Sequence, residues 1–108
     1  MISPDLPVAA LMKHAAQAAE ALKLLANEQR LMVLCRLSQG ESSVGELVAL
    51  TALSQSSVSQ HLARLRESNI VATRRDGTTI YYRLADDCVH ALIDALCDSF
   101  GPKPRTGG

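Results

Sequence analysis

The stretch from position 53 to 66 constrains the fold more than any other part of this 108-residue chain. Val58, Leu62 and Leu65 recur at positions i, i+4 and i+7, which places them on one face of a helix. Ser54 comes just before this pattern, where a hydroxyl can accept an amide hydrogen bond of the first helical turn. The sequence therefore predicts a short helix that buries one apolar stripe.

The opposite face of the same helix is polar but carries few charges. An ordinary solvated face is rich in Glu and Lys, whereas this one carries hydroxyl, amide and imidazole groups. Such groups donate and accept the hydrogen bonds that distinguish base edges in the major groove of DNA. We predict that these residues contact DNA: Gln55, Ser56, Ser57, Ser59, Gln60, His61 and Arg64.

The roles expected within this set differ. Gln55 and Gln60 are expected to read bases, because an amide can bind adenine at two points. Arg64 is expected to bind phosphates. For Ser57 the alternative is that it closes the start of the helix, and for His61 that it packs or forms a local hydrogen bond.

Helix signals recur along most of the chain. Asn27 is expected to cap the second helix and Asp86 the last, and Ser43 with Glu46 forms a capping-box pattern before the third. The predicted helices span residues 8–26, 28–38, 44 to about 50, 55 to about 68, and 87 to about 100. A tight connection joins the third helix to the polar helix, which is a helix-turn-helix signature.

The segment after the polar helix predicts a β-hairpin. Two β-favouring runs, 70–75 and 78–84, flank the dipeptide Asp76-Gly77, a strong signal for a tight turn between strands. A hairpin that directly follows a helix-turn-helix is a wing. The predicted fold class is therefore mainly α with a small β-hairpin, an α+β winged helix-turn-helix.

Positive charge is concentrated in the same region, although the whole chain has a formal net charge of zero. Residues 52–84 hold five arginines against two acidic residues, whereas the rest of the chain holds six basic and nine acidic residues. This distribution favours a surface that faces phosphates. Within the wing, Arg74 and Arg75 flank the turn, and at least one of them is expected near the minor groove or its phosphates.

The domain organisation is simple. Residues 8–100 are expected to form one domain, residues 1–7 an irregular N-terminus, and residues 101–108 a disordered tail. The first and last helices carry more apolar surface than a core of this size can cover, so we expect each of them to pack against a further surface.

The sequence also indicates the cellular compartment of the protein and whether it is an enzyme. Three widely spaced cysteines argue against a disulfide framework and favour a reducing cytoplasm, and neither a secretory signal nor a membrane span is expected. There is no glycine-rich phosphate loop and no nucleophile paired with a base. We therefore expect neither an enzyme nor a cofactor.

Three segments resemble the ArsR/SmtB repressors: LLANEQRL at 24–31, LSQSSVSQHLARL at 53–65 and TRRDGTTIYY at 73–82. The resemblance extends over roughly residues 19–100. It implies a winged-helix homodimer that binds a palindromic operator in double-stranded DNA. Dimerisation in this family uses the first and last helices, which agrees with the excess apolar surface of these helices here. It also implies that a small inducer, such as an inorganic or sulfur species, releases the protein from that operator.

The resemblance is greatest to the branch of the family that responds to sulfide or oxidants. In that branch a cysteine at the position of Cys35 pairs with one near the end of the last helix, which aligns close to Gly101 here. Cys97 lies one turn earlier on the same ridge, so we expect Cys35 and Cys97 to form the sensing pair, with a pairing of Cys35 and Cys88 less favoured. The function expected from the resemblance is a repressor released when these thiols are oxidised or persulfidated.

Two alternatives stay open. Segment 43–47 lacks the cysteine pair with which many relatives bind metal, but Asp87, His90, Asp94 and Cys97 share one stripe of the last helix and would serve a metal-responsive repressor. The other alternative is a constitutive winged-helix regulator, or a protein-interaction dimer, with no inducer. The role of Cys88 stays open as well, because the helix dipole favours its thiolate whereas the neighbouring aspartates oppose it.

Overall fold

The computed structural model describes residues 7–101, so residues 1–6 of the predicted N-terminus and residues 102–108 of the predicted tail lie outside the described part. The elements run in the order α1 (Pro7–Leu25), α2 (Glu28–Leu37), β1 (Ser42–Ser43), α3 (Val44–Thr51), α4 (Gln55–Glu67), β2 (Val71–Asp76), β3 (Thr79–Leu84) and α5 (Asp87–Phe100). The predicted fold class is confirmed. Pro7, which we assigned to the irregular N-terminus, is instead the first residue of α1, where proline lacks only an amide that a helix leaves unpaired.

The helix starts follow from local hydrogen bonds that the sequence predicts. Asn27, Ser43, Ser54 and Asp86 each accept a bond from the backbone amide three residues further on. At α3 the carboxylate of Glu46 returns the bond to the amide of Ser43, which completes the capping box. The four predicted caps are therefore confirmed.

The helix-turn-helix consists of α3, a three-residue turn and α4. Ala52 ends α3 in the left-handed conformation, with φ of 59°, and its amide still bonds to the carbonyl of Val48. This conformation turns the chain sharply enough for α4 to pack against α3 within three residues. The motif is the one that the sequence predicts.

The sheet has one more strand than we predicted. The hairpin of β2 and β3 is present, with Asp76 paired to Thr79 across a turn in which Gly77 has φ of 63°. In addition, β1 pairs antiparallel with β3, which gives the strand order β1-β3-β2. Two serines carry no strand signal of their own, and they become a strand only because β3 offers its free edge. This pairing attaches the wing to the start of α3.

The core lies where α2, α4, the sheet and α5 meet. All three stripe residues of α4 (Val58, Leu62 and Leu65) are fully buried, as predicted. In α2, Val33, Leu34 and Leu37 are buried, whereas Leu31 is half-buried. The buried side chains are Leu25, Val33, Leu34, Leu37, Leu47, Val58, Leu62, Leu65, Ile70, Val71, Val89 and Ile93.

The two outer helices leave large apolar side chains in solvent. Leu25 is the only buried residue of α1, and Val89 and Ile93 are the only ones of α5. The exposed apolar residues of these helices are Val8, Leu11, Met12 and Leu22 on α1, and Leu92, Leu96 and Phe100 on α5. Within residues 7–101 no helix combines the length and apolar character needed to cross a membrane.

Candidate nucleic-acid interface and thiol pair

Helix α4 presents one open polar face. Its apolar stripe is buried in the core, and most side chains on its other sides are exposed. The exposed side chains on the polar face are Gln55, Ser56, Ser59, Gln60 and Arg64. These five predicted DNA contacts are thus brought together on one accessible surface.

Ser57, a sixth predicted contact, faces the start of its own helix. Its amide bonds to the hydroxyl of Ser54, and the two hydroxyl oxygens lie 3.0 Å apart. The side chain is half-buried. The geometry therefore corresponds to the alternative in which Ser57 closes the helix start.

His61 is also engaged within the protein. Its Nε2 lies 2.8 Å from Oε1 of Gln29, and its Nδ1 lies 3.3 Å from Nε of Arg30. Burial lowers the pKa of His61, and the charges of Arg30 and Arg64 lower it further. The half-buried imidazole is therefore hydrogen-bonded within the protein, although its partners lie on α2 and not, as in the alternative that we considered, nearby in the chain.

Arg74 and Arg75 of the wing lie in different environments. Arg74 donates from Nε to both carboxylate oxygens of Glu41 at 2.8 Å, and its guanidinium lies 4.7 Å from the centre of the Tyr81 ring. The hydrogen bond from Arg74 holds the pKa of Glu41 below its ordinary value. Arg75 is exposed and forms no ion pair among the described residues. Of these two, Arg75 is therefore the one whose charge is uncompensated.

Cys35 of α2 and Cys97 of α5 are joined as a disulfide. Their Cα atoms lie 6.5 Å apart, and 62 positions separate them in the chain. Both are half-buried and pack against the hydrophobic core. An apolar cleft of about 470 Å³ adjoins the pair, with Leu31, Met32 and Leu96 in its wall. The pair expected from the resemblance thus lies together, while its sensing role stays a prediction.

The other cysteine and the last-helix metal stripe are placed differently. Cys88 is free and exposed. His90 donates from Nε2 to the carbonyl of Ser38 at 3.1 Å and lies 3.6 Å from a carboxylate oxygen of Asp94. Between Pro7 and Gly101 no three His, Cys, Asp or Glu side chains are grouped in a way that could hold a metal ion. The arrangement gives no support to the metal alternative.

Comparison with known proteins places this geometry in a family. Residues 27–73, from the cap of α2 to the middle of β2, match the model for bacterial regulatory proteins of the arsR family. A biofilm growth-associated repressor from Agrobacterium fabrum is 49% identical over 92 residues, which cover 85% of this chain and 79% of the relative. The chain belongs to the ArsR family.

Two solved structures extend the match to the fold of this ArsR-family protein. Reduced HlyU from Vibrio cholerae superposes with a TM-score of 0.80 at 43% identity, covering 85% of this chain and 97% of that one. The homodimeric winged helix-turn-helix DNA-binding domain of Mb0332 from Mycobacterium bovis superposes with a TM-score of 0.65 at 33% identity, covering 89% and 86%. This ArsR-family chain is a DNA-binding transcription regulator and not an enzyme.

Three contacts in this ArsR-family protein join partners that the sequence did not predict. They are the pairing of β1 with β3, the ion pair between Arg74 and Glu41, and the bonds of His61 to α2. The side-chain partners are 31 to 33 positions apart. Sequence patterns relate residues that are only a few positions apart, so they do not predict contacts at such separations.

Proposed function

We propose that this regulator is a homodimeric repressor that acts in the cytoplasm and is released from a palindromic operator when Cys35 and Cys97 are oxidised or linked through added sulfur. The exposed polar face of α4 reads bases in the major groove. The wing, through Arg75 above all, binds phosphates beside it. The thiol pair sets whether the two recognition helices of the dimer fit successive grooves.

The observation that carries this proposal is the bond between Cys35 and Cys97. Their Cα separation of 6.5 Å falls within the range that disulfides span without moving the backbone. The two residues belong to helices that pack together, so making or breaking the bond acts directly on the contact between α2 and α5. A change at the pair therefore alters the position of α5 relative to the rest of the winged helix.

Helix α5 connects the thiol pair to the expected dimer interface. Its residues Leu92, Leu96 and Phe100 are exposed, as are apolar residues of α1, and such surface is typical of an interface between subunits. Two recognition helices dock together only when they lie about one turn of DNA, ~34 Å, apart. A shift of α5 against α2 changes that spacing and weakens operator binding.

The modified and reduced states need different affinities for DNA, because a modification that leaves the affinity for DNA unchanged does not shift the binding equilibrium. Switching a promoter from mostly occupied to mostly free takes a difference of a few kcal/mol, or roughly a hundredfold or more in affinity. Breaking the fit of two helices at once is sufficient for an effect of this size, since each half-site contributes many contacts.

The test compares operator binding of the reduced and modified protein. The operator is first selected from random-sequence duplex DNA with the reduced protein. Binding is then measured by fluorescence anisotropy before and after treatment with a peroxide or a persulfide donor, and intact mass identifies the modification. We expect a loss of two hydrogens, or a gain of whole sulfur atoms, at Cys35 and Cys97 together with at least a hundredfold weaker binding.

Variants assign the effect to the pair. The double variant Cys35→Ser/Cys97→Ser should bind the operator and stay bound under oxidant, whereas Cys88→Ser should be released like the unmodified sequence. A double variant that is still released would overturn the thiol mechanism. Release of both proteins by zinc would support the metal alternative instead, and no release under any treatment would indicate a constitutive regulator.

The direction of regulation is a separate part of the test. The Agrobacterium fabrum relative is named a repressor, whereas HlyU of Vibrio cholerae, 48% identical over 84 residues, is named a transcriptional activator. A promoter carrying the selected operator should become active when the gene for this protein is deleted. A promoter that falls silent instead would show activation.

A further inference from the structure

Helix α4 forms hydrogen bonds with α2 through a single side chain among the described residues, His61. One ring nitrogen of His61 contacts Gln29 and the other contacts Arg30, both at the start of α2. Within residues 7–101 no other side chain of α4 forms a hydrogen bond with a different helix or strand. The remaining contacts of α4 with α2 are apolar and lie in the core.

The donors and acceptors of these two bonds define the state of the imidazole. Nε of Arg30 can only donate, so Nδ1 of His61 accepts. The proton of the neutral ring is therefore on Nε2, from which it is donated to Oε1 of Gln29. A neutral ring with this tautomer satisfies both bonds at once, and burial together with the nearby arginines lowers the pKa of His61 and favours the neutral form.

The same network reaches two further parts of the molecule. Nη1 of Arg30 donates to the carbonyl of Leu24 at 3.1 Å and so holds the last turn of α1. Cys35 lies five residues after Arg30 on the same helix, or about 7.5 Å along its axis. One cluster of side chains thus joins the helix that carries Cys35, the end of α1 and the middle of α4.

The hydrogen bonds of His61 constrain the rotation of α4, which burial in the core does not. Apolar burial is roughly proportional to area and does not depend on direction, so it tolerates a small rotation of a helix about its axis. A hydrogen bond weakens steeply when its angle or length changes. The bonds of His61 therefore fix the rotation of α4, and with it the direction in which the polar face of α4 points.

We propose that His61 is a positioning residue, which sets the rotation of α4 against α2 and thereby the affinity of α4 for DNA. This inference rests on the proposed function, in which α4 reads the operator. It assigns to Gln29, a residue of α2, an effect on operator affinity that is transmitted through His61.

The first experiment measures operator affinity of the variant Gln29→Ala in the reduced protein. We expect a loss of about fivefold in affinity, the factor typical of one neutral hydrogen bond. Urea denaturation should show that the variant is fully folded in the absence of denaturant, so that the lost affinity does not reflect unfolding. Unchanged affinity of the folded variant would contradict the proposal.

The matched control is Gln17→Ala. Gln17 also forms a Gln–His pair, with Nδ1 of His14 3.1 Å from its Oε1, but both residues lie within α1. Removing this amide should leave operator affinity within about twofold of that of the unmodified protein. An equal effect of both variants would contradict the proposal.

A double-mutant cycle separates positioning from direct contact with DNA. If Gln29 acts through His61, then Gln29→Ala adds almost nothing to the effect of His61→Leu, whereas two independent DNA contacts would add. His61→Gln retains a neutral donor and acceptor and should recover part of the affinity. Additive effects of Gln29→Ala and His61→Leu would overturn the proposal.

A spectroscopic measurement gives an answer even where His61→Leu fails to fold. A long-range ¹H–¹⁵N NMR spectrum of the reduced protein should show His61 neutral with its proton on Nε2, and Gln29→Ala should shift that resonance. A proton on Nδ1, or a resonance unaffected by Gln29→Ala, would contradict the network.

The failure of this inference is distinguishable from failure of the proposed function. Equal operator affinity of the reduced and oxidised unmodified protein would remove the thiol mechanism. The cycle between Gln29 and His61 in the reduced protein would still decide whether His61 positions α4.

Discussion

Helices α4 and α5 have 13 and 14 residues and both carry an apolar stripe, yet they differ in how much of that stripe the chain buries. All stripe residues of α4 are fully buried, whereas on α5 Leu96 is 42% exposed and Phe100 is 85% exposed. The other side of α4 is a polar surface. The exposed surfaces of the two helices therefore suit different partners. That of α4 suits a partner that forms hydrogen bonds, and that of α5 suits an apolar one.

This difference has a functional consequence. A helix whose apolar face is satisfied inside its own subunit can offer its polar face to DNA without losing its position. A helix whose apolar face is only partly covered depends on a second surface, and its position responds to what covers it. We infer that α4 is the reading element and that α5, which carries Cys97, is the movable one.

The largest expected effect is a loss of stability in Leu62→Ala. Because Leu62 is fully buried, truncating it removes apolar contacts and leaves a cavity, which should lower the free energy of unfolding by about 3 kcal/mol. Urea denaturation at several protein concentrations measures this loss, which should not depend on concentration.

The matched variant is Leu96→Ala, the same truncation on α5. At concentrations too low for association it should cost less than about 1 kcal/mol, because the side chain is already partly in solvent. Equal losses for the two variants in that regime would mean that the α5 stripe is covered within the subunit, and the comparison would fail.

A smaller effect on folding but a large one on assembly is expected for Leu96→Glu. A carboxylate in the centre of an apolar interface should raise the dissociation constant of the dimer by at least about thirtyfold while the helical content is retained. Sedimentation velocity and circular dichroism measure the two quantities. Ala91→Glu places the same charge on the opposite, exposed side of α5 and should leave the dimer intact, so dissociation by both variants would argue against this interface.

The smallest effect concerns the wing. Arg75→Ala should weaken operator binding by roughly five- to tenfold and reduce the slope of log affinity against log salt by about one, because one phosphate contact is lost. Arg74→Ala should have less effect, since Glu41 already compensates that charge. Anisotropy titrations at several salt concentrations measure both.

Glu41→Gln sharpens this comparison. It releases Arg74 from its ion pair, so we expect tighter operator binding with a steeper salt dependence. If Arg74→Ala weakens operator binding as much as Arg75→Ala does and Glu41→Gln has no effect on it, then Arg74 and Arg75 act alike and the ion pair has no influence on DNA binding.

The sequence by itself determined the elements and their order. Caps such as Asn27 and Ser54, the stripe of α4 and the Asp76-Gly77 turn are readable because each depends on hydrogen bonds or spacings within a few residues. The exposed polar face of α4 is equally predictable, since burying Leu62 and its stripe leaves the opposite side outward. The pairing of Cys35 with Cys97 was expected from the family resemblance, which supplies long-range information that periodicity lacks.

Only the tertiary structure decided how these elements constrain one another. Ser42 and Ser43 become a strand because β3 has a free edge, His61 turns from the DNA surface toward α2, and Arg74 is held by Glu41. Each of these contacts joins residues more than 30 positions apart, and their energies depend on where whole helices settle. A local pattern specifies which helix forms, whereas packing of the common core specifies what its polar side chains meet.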